Sequence, residues 1–180
     1  MIKRSDMQKI VNNYSDLRIG VLGSHSALEV MDGAKDENLN TVVFCQKGRE
    51  VPYQRFGRIA DEIMILKKFK DIASAPNQKK LRDTGTIIVP HRSLTAYLGY
   101  DILENKLKIP IFGNRALFQA EERYNKKNQY YLLKKAGIKY PKIFKDPKSI
   151  NKPAIVKVQE KNRNLERAFF TVSSLSLIHI

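Results

Sequence analysis

The sequence predicts a doubly wound α/β domain, in which helices cover both faces of a parallel β-sheet. Along the first half of the chain, short apolar runs alternate with amphipathic stretches, and this alternation is typical of such a sheet. Turn-forming and helix-capping residues follow the apolar runs, so strands and helices are predicted to alternate. The 180-residue chain is 42% hydrophobic and 28% charged, a composition that supports a globular core.

Five apolar runs account for the predicted sheet. They are short and rich in the β-branched residues that favour strands. The predicted strands are residues 17–22, 41–45, 62–66, 86–89 and 109–112. Because a ligand of a doubly wound sheet binds beyond the carboxyl ends of its strands, the turns after the first, second and fourth strands are expected to converge on one site.

Residues that typically begin or end helices lie between these predicted strands. Ser26 is predicted to cap a helix that extends to about residue 38, with Glu29 three residues later completing a capping box. A further helix is predicted to stop at Gly85, and Ser93 is predicted to cap another that ends near Gly99.

From Asn114 onward, one long helical segment replaces the alternation of short apolar runs and amphipathic stretches. We therefore predict a domain boundary at this residue. Residues 115–136 predict one long helix, which Gly137 and Pro141 terminate. Residues 1–113 are therefore expected to form the first domain.

Two more strands are predicted beyond that helix, at residues 153–158 and 168–172, joined by a charged turn. Two strands bury too little apolar surface to be stable alone. Residues 114–174 are thus expected to be the truncated start of a second domain.

The final six residues, 175–180, match the translation of a transposase mosaic-end adapter used in sequencing libraries. We expect them to derive from that adapter. His179 is therefore excluded from every site argument.

The charge distribution indicates an anionic partner. The formal charge is +15, and residues 91–180 hold 18 basic and 7 acidic side chains against 15 and 11 in residues 1–90. Such an excess attracts phosphorylated small molecules or nucleic acid. Two alternatives stay open. One is a solvated lysine-rich surface of the kind found in heat-adapted proteins. The other is a nucleic-acid-binding module built on the basic second half of the chain, whose affinity would fall steeply with salt.

Cys45 is the one cysteine, which excludes an internal disulfide and indicates a reducing compartment. No run approaches the roughly 20 apolar residues that a membrane-spanning helix needs, and residues 1–8 lack the apolar stretch of a signal peptide. We expect a cytoplasmic protein without membrane association. One cysteine and two histidines outside the tail argue against a zinc site, and Cys45 is expected to be a buried structural residue.

Two polar clusters fall at the expected ligand-binding edge. Gly23, His25 and Ser26 follow the first strand, and Arg92 and Ser93 follow the fourth. Backbone N–H groups at a helix start favour a phosphate or carboxylate, and an arginine with a hydroxyl suits a phosphorylated ligand. Each cluster also has a structural interpretation, because a lone histidine can serve as a hydrogen-bonding residue and a serine as a helix cap.

The second strand is followed by Lys47 and Arg49, where dinucleotide-binding proteins carry an acid that holds the ribose. These cations leave open a second function, a nucleotide-dependent oxidoreductase in which they hold the 2'-phosphate of NADPH.

Many short segments resemble one family in order and spacing, the archaeal 5-formaminoimidazole-4-carboxamide ribonucleotide (FAICAR) synthetases, which are ATP-grasp ligases. The resemblance extends over residues 1–174. The matching segments are residues 23–28, 32–35, 47–49, 89–93, 96–99, 110–115, 136–138 and 155–157.

The resemblance implies a Rossmann-like pre-ATP-grasp domain at residues 1–113 and the start of an ATP-grasp domain at residues 114–174. It implies ATP- and formate-dependent formylation of aminoimidazole carboxamide ribonucleotide (AICAR) to FAICAR in IMP biosynthesis, through a formyl phosphate. The expected partners are therefore small molecules, with Mg²⁺ or Mn²⁺ held by carboxylates further along the family's chain. A nucleic acid is not expected, and a homo-oligomer is compatible with the sequence.

The resemblance also implies roles for individual residues. His25 and Ser93 match positions that contact AICAR in the family, and Lys157 matches a lysine that contacts ATP phosphate. The predicted substrate-binding residues are Gly23, His25, Ser26, Arg92 and Ser93. No metal ligand and no catalytic residue is assigned within the chain, which is expected to be inactive alone.

Three departures from the family pattern leave an alternative open. Arg92 replaces a glycine. Residues 118–121 read Phe-Gln-Ala-Glu where the family typically has tryptophan and glutamate, and the chain contains no tryptophan. Residues 159–167 contain no glycine where the family has a glycine-rich loop over ATP. Lys161, Arg163 and Arg167 could contact phosphate there, although flexible side chains do not reproduce a backbone cradle. A divergent ATP-grasp paralogue with another acceptor therefore remains the alternative.

Overall fold

The computed structural model describes residues 1–122, 124–157 and 169–173. The chain divides into two compact units, Met1–Phe118 and a second that begins at Gln119. The division into domains at residues 113 and 114 stays a prediction. No helix within the described ranges is both long enough and apolar enough to cross a membrane.

The first unit is built on a four-stranded parallel sheet. Its strands are β1 (Arg18–Leu22), β2 (Asn40–Gln46), β3 (Glu62–Leu66) and β4 (Thr86–Ile88). Every pair is parallel, and the strand order is β3-β2-β1-β4. The predicted parallel α/β fold is confirmed. The chain runs outward from β1 to β3 and then crosses to the other side of β1, so the strand order reverses between β1 and β4.

Helices of the first unit connect these strands. They are α1 (Arg4–Val11), α2 (Ala27–Asp36), α3 (Val51–Arg55), α4 (Ala75–Asp83) and α5 (Arg92–Leu98), with a 3₁₀-helix at Phe69–Ala73 and a π-helix at Ile102–Lys106. The stop predicted at Gly85 lies just beyond the end of α4, and Gly85 has φ +63°.

Alternating side chains of the strands form a separate apolar core on each face of the sheet. Val21 and Val43 pack with buried residues of α2 and α3, whereas Leu22 and Phe44 pack with those of the 3₁₀-helix, α4 and α5. These strand residues are fully buried. Burial on both faces explains why β1 and β2 are continuous apolar runs in the sequence.

The fifth strand, predicted at residues 109–112, is not formed as a strand. Its residues make one parallel bridge, between Ile111 and Ile88 of β4. Ile88 donates to the Pro110 oxygen at 2.9 Å and accepts from Phe112 at 2.8 Å. Pro110 has no N–H to extend the ladder, and Gly113 at φ +91° turns the chain away.

The capping box predicted for α2 is also wrong. Ser26 is the N-cap residue, but its side chain makes no capping hydrogen bond. Its hydroxyl is instead paired with the neighbouring His25 ring, at 2.5 Å from Nδ1.

The long helix predicted at residues 115–136 is interrupted. A 3₁₀-helix spans Arg115–Glu121, and α6 begins at Gln129 and ends at Lys135. Asn125 and Asn128 explain the break, because their side-chain oxygens accept from backbone N–H groups two or three residues later. Such local bonds compete with helix formation and favour caps and turns.

The second unit contains a two-stranded sheet. Its strands β5 (Ala154–Lys157) and β6 (Phe169–Val172) are antiparallel. The predicted strand pair is thereby confirmed, while the charged turn predicted between them lies outside the described residues.

Candidate functional site

The two turns predicted to bind the substrate lie side by side where the strand order reverses. One follows β1 and the other follows β4. The rings of His25 and His91 stack across the gap with centroids 6.2 Å apart. His91 also bonds the turns together, since its Nε2 donates to the Leu22 oxygen at 2.9 Å. Ligands of doubly wound sheets bind at this position.

His91, rather than Ser93, is the N-cap residue of α5. Its Nδ1 accepts from the Ser93 backbone N–H at 3.2 Å, so the prediction that Ser93 caps this helix is wrong. Because the carbonyl of Leu22 can only accept, Nε2 must carry the hydrogen and Nδ1 must be unprotonated. Both bonds therefore require neutral imidazole.

Burial lowers the pKa of His91 below its usual value, and the neighbouring His25 acts in the same direction. The bond to Leu22 and the carboxylate of Glu29 oppose this shift. The unfolded chain consequently binds a proton at His91 more readily than the folded chain does. Stability from this histidine is present above pH 6.5 and is lost as the pH falls from about 6.5 toward the lower pKa of the folded state.

We predict that His91→Gln reduces the loss of stability on acidification. Glutamine can donate to the Leu22 oxygen and accept from Ser93 without titrating. Urea unfolding at pH 7.5 and pH 5.5 measures the loss for each protein. Because the His25 ring stacks on the His91 ring, a His25→Gln variant is the control. An equal loss in His91→Gln and the original chain would contradict the role of His91.

His25 occupies the exposed tip of the first turn. Its φ is +43°, a left-handed conformation uncommon in non-glycine residues. Its ring is exposed, with Nδ1 paired to the Ser26 hydroxyl. The other ring nitrogen, Nε2, is therefore the atom available to a ligand.

The packing around Gly23 leaves little room for a side chain. It is buried, and its N–H donates to the Phe44 oxygen at 2.8 Å. A Cβ at this position would lie 2.8 Å from Cys45 Sγ and 3.1 Å from the Tyr53 ring. Close packing of the turn against β2 accounts for the glycine, and ligand contact by Gly23 stays a prediction.

The remaining predicted residues differ in their surroundings. Ser93 is half-buried on the first turn of α5, and within the described part of the chain no side chain or backbone group bonds its hydroxyl. Arg92 precedes it and is exposed. Lys157 is the last residue of β5. The turn at residues 159–167, with its three predicted phosphate-binding cations, lies outside the described residues.

Cys45 is unsuited to nucleophilic catalysis. It is fully buried, and burial together with the charge of Glu50 raises its pKa to about 12. Its thiol is therefore protonated at neutral pH. Across residues 1–122, 124–157 and 169–173, no group of three or more His, Cys, Asp and Glu side chains could hold a metal ion.

An aromatic shelf next to these turns was not predicted. We define it as Phe69 and Tyr97, whose ring centroids are 4.6 Å apart. The Arg49 guanidinium lies over both rings and donates to the Tyr97 hydroxyl at 2.9 Å. Arg49 is recognisable in the sequence as a cation that follows β2, but its aromatic partners are distant in sequence.

A cavity of about 550 Å³ opens at the opposite edge of the sheet, where the strands begin. The two arginines that line this cavity already have partners within the protein. Arg18 pairs with Glu62 at 2.5 Å, and Arg82 donates to the Lys108 oxygen at 3.1 Å. The reversal of strand order makes the carboxyl edge the better candidate for a ligand site.

Comparison with known proteins identifies the family. Residues 19–144, more than half of the chain, match a family described as "Protein of unknown function (DUF1246)". The chain belongs to this DUF1246 family.

Curated relatives confirm the resemblance to FAICAR synthetases. A protein of Methanopyrus kandleri is 43% identical over 159 residues, which are 87% of this chain and 44% of that protein. A protein of Methanobrevibacter smithii is 40% identical over 175 residues, covering 96% of this chain and 47% of the relative. Both are named 5-formaminoimidazole-4-carboxamide-1-(beta)-D-ribofuranosyl 5'-monophosphate synthetase.

A solved structure shares the fold of this DUF1246 chain. It is an IMP biosynthesis protein PurP from Thermococcus kodakaraensis, with a TM-score of 0.57 and 24% sequence identity. The match covers 81% of this chain and 47% of that protein. The chain thus spans about half the length of the proteins it matches.

Proposed function

We propose that this chain is the nucleotide-binding part of an ATP-grasp ligase that formylates AICAR with formate and ATP in IMP biosynthesis. The observation that carries the proposal is the meeting of the His25 and Ser93 turns where the strand order reverses, with the histidine rings 6.2 Å apart. This position suits a small phosphorylated ligand, and the named relatives are synthetases.

The proposed reaction needs ATP because formate is a poor acyl donor. Its carboxylate would have to expel oxide or hydroxide when an amine attacks. In the first step a formate oxygen attacks the γ-phosphorus of ATP, and ADP leaves. In the second step the AICAR amine attacks the carbon of formyl phosphate, phosphate leaves with the C–O bonding pair, and the amine loses a proton. A site closed to water protects the intermediate.

The residues of the first unit would bind and orient AICAR. His25 Nε2 and the Ser93 hydroxyl face the ligand from the two turns, Ser26 holds the His25 ring, and the turn after Gly23 supplies the backbone surface. Arg92 is exposed beside Ser93 and would supply positive charge. His91 would position Ser93 through its backbone N–H.

We assign residues 114–174 to the start of the ATP-grasp domain, with Lys157 at the ATP phosphates. A hollow of about 820 Å³ in the second unit supports a nucleotide there, because its lining combines apolar residues such as Phe144 and Val156 with Lys142 and Lys145. The proposal places the carboxylates for Mg²⁺ or Mn²⁺ in the part of the relatives that this chain does not span, where the ion would neutralise phosphate charge. The reaction belongs in the cytoplasm.

The test is isothermal titration of the chain with AICAR. We expect His25→Ala and Ser93→Ala each to weaken AICAR binding about tenfold, which is the usual scale for one lost polar contact. Ser74→Ala is the matched control, because Ser74 precedes α4 and its side chain makes no capping bond. Unchanged affinity in both site variants would overturn the proposed site.

A further inference from the structure

Arg49 is held in a fixed position although it is exposed. Its guanidinium carbon lies 5.7 Å from the Phe69 centroid and 5.4 Å from the Tyr97 centroid, and one nitrogen donates to the Tyr97 hydroxyl at 2.9 Å. Phe69 is buried, and Tyr97 packs against the same apolar core. The aromatic shelf is therefore rigid, and it restricts a side chain that would otherwise sample many rotamers.

The charge of Arg49 is not neutralised by the described part of the protein. No carboxylate there lies within 4.0 Å of its guanidinium, whereas Arg18 and Lys80 both pair with Glu62. A guanidinium has five N–H donors, and Tyr97 accepts one of them. Several donors therefore remain for an anion.

A series of contacts connects Arg49 to the two ligand-binding turns. The Ser93 N–H bonds to His91, whose ring stacks on His25. Ser93 and Tyr97 are four residues apart on α5, so their Cβ atoms are separated by about 5–6 Å along one helix face. Tyr97 in turn contacts Arg49. Arg49 thus contacts α5 one helical turn after Ser93.

We propose that Arg49, positioned by the aromatic shelf, binds the phosphate monoester of the nucleotide whose base and ribose occupy the His25 and Ser93 turns. This inference rests on the proposed function and specifies one subsite of it. The planar fork of a guanidinium matches two phosphate oxygens, and such bidentate contacts are strong and directional. Because Arg49 is already ordered, little side-chain entropy is lost on binding.

The subsite predicts a preference for the nucleotide over its nucleoside. The nucleoside lacks the phosphate and gains nothing from Arg49. Loss of Arg49 should therefore weaken binding of the nucleotide alone, whereas damage to the His25 and Ser93 turns should weaken binding of both compounds.

The experiment is isothermal titration of the full chain with AICAR and with the dephosphorylated riboside. We expect Arg49→Met to weaken AICAR binding at least tenfold and to leave riboside binding within twofold. Tyr97→Phe keeps the ring but removes the hydroxyl that accepts from Arg49, so AICAR affinity should fall by a smaller factor. Arg55→Met, which removes an exposed arginine at the end of α3, is the control for net charge and should change neither affinity.

The outcomes separate this inference from the proposed function. If AICAR binding depends on His25 and Ser93 but Arg49→Met changes it less than twofold, the phosphate subsite is wrong and the proposed function stands. An equal loss of AICAR and riboside affinity in Arg49→Met also overturns the subsite, because it indicates a general disturbance. A chain that binds neither compound overturns both.

Discussion

Gly85→Ala is expected to destabilise the first unit by about 3 kcal/mol, the sum of a left-handed backbone penalty and forced overpacking. Gly85 has φ +63°, and an added Cβ would overlap the backbone oxygen of Asp16. That oxygen belongs to the turn before β1, and the Gly85 carbonyl accepts from Arg18 N at 3.0 Å at the start of the strand. The methyl group can be accommodated only by moving backbone, so β1 and β4 would be pushed apart at their amino ends.

Gly33→Ala is the matched control for this prediction. Gly33 lies within α2, and a Cβ there would meet no atom within 4 Å. Alanine is favoured over glycine inside a helix by roughly 1 kcal/mol, so this variant should be unchanged or more stable. Urea unfolding followed by circular dichroism measures both. Equal stabilities of Gly85→Ala and the original chain would show that the turn before β1 relaxes freely.

The sequence predicted the sheet well because its signals are local. Each of the four strands is an apolar run, the central strands β1 and β2 are buried on both faces, and β3 has the predicted bounds, Glu62–Leu66. Gly85 was recognised as a stop because a residue after a helix often needs positive φ. The severity of the Gly85 position was not predictable, since it depends on Asp16, which is remote in sequence.

The errors occurred where a side chain had several possible partners. Ser26 and Ser93 both have the sequence signature of a helix cap, but the two histidines beside them compete. Ser26 pairs with His25, and His91 takes the capping position ahead of Ser93. The long helix predicted at residues 115–136 was wrong for a similar reason, because asparagine side chains form local hydrogen bonds that no apolar pattern reveals.

The candidate site was predictable in its strand-end turns but not in its neighbouring contacts. The switch-point rule needs only a doubly wound sheet, which the alternation of strands and helices predicts. Arg49 was visible as a cation after β2, but Phe69 and Tyr97 come from two other elements. Their convergence on one guanidinium is a tertiary property.

Arg115→Met is expected to destabilise the first unit by about 2 kcal/mol, the scale of hydrogen bonds from a charged donor. The guanidinium donates to the Leu103 oxygen and, at 2.7 Å, to the Ile109 oxygen. It also lies 3.9 Å from the Met7 sulfur of α1. Burial lowers the pKa of Arg115 to about 10, which still leaves it protonated at neutral pH. Methionine would keep much of the volume but leave both carbonyls without this donor.

Arg115 therefore fastens the π-helix and residues 109–112 to the rest of the first unit, next to the edge of the sheet that carries His91. Arg115→Lys should recover only part of the lost stability, because an ammonium lacks the fork that reaches two carbonyls. Arg58→Met is the control, since the Arg58 side chain is 78% exposed and pairs with Asp32 at 3.6 Å, and its loss should change unfolding by less than about 0.5 kcal/mol. Equal urea midpoints for Arg115→Met and Arg58→Met would show that water replaces the guanidinium at both carbonyls, so that this arginine is not what holds residues 109–112 beside β4.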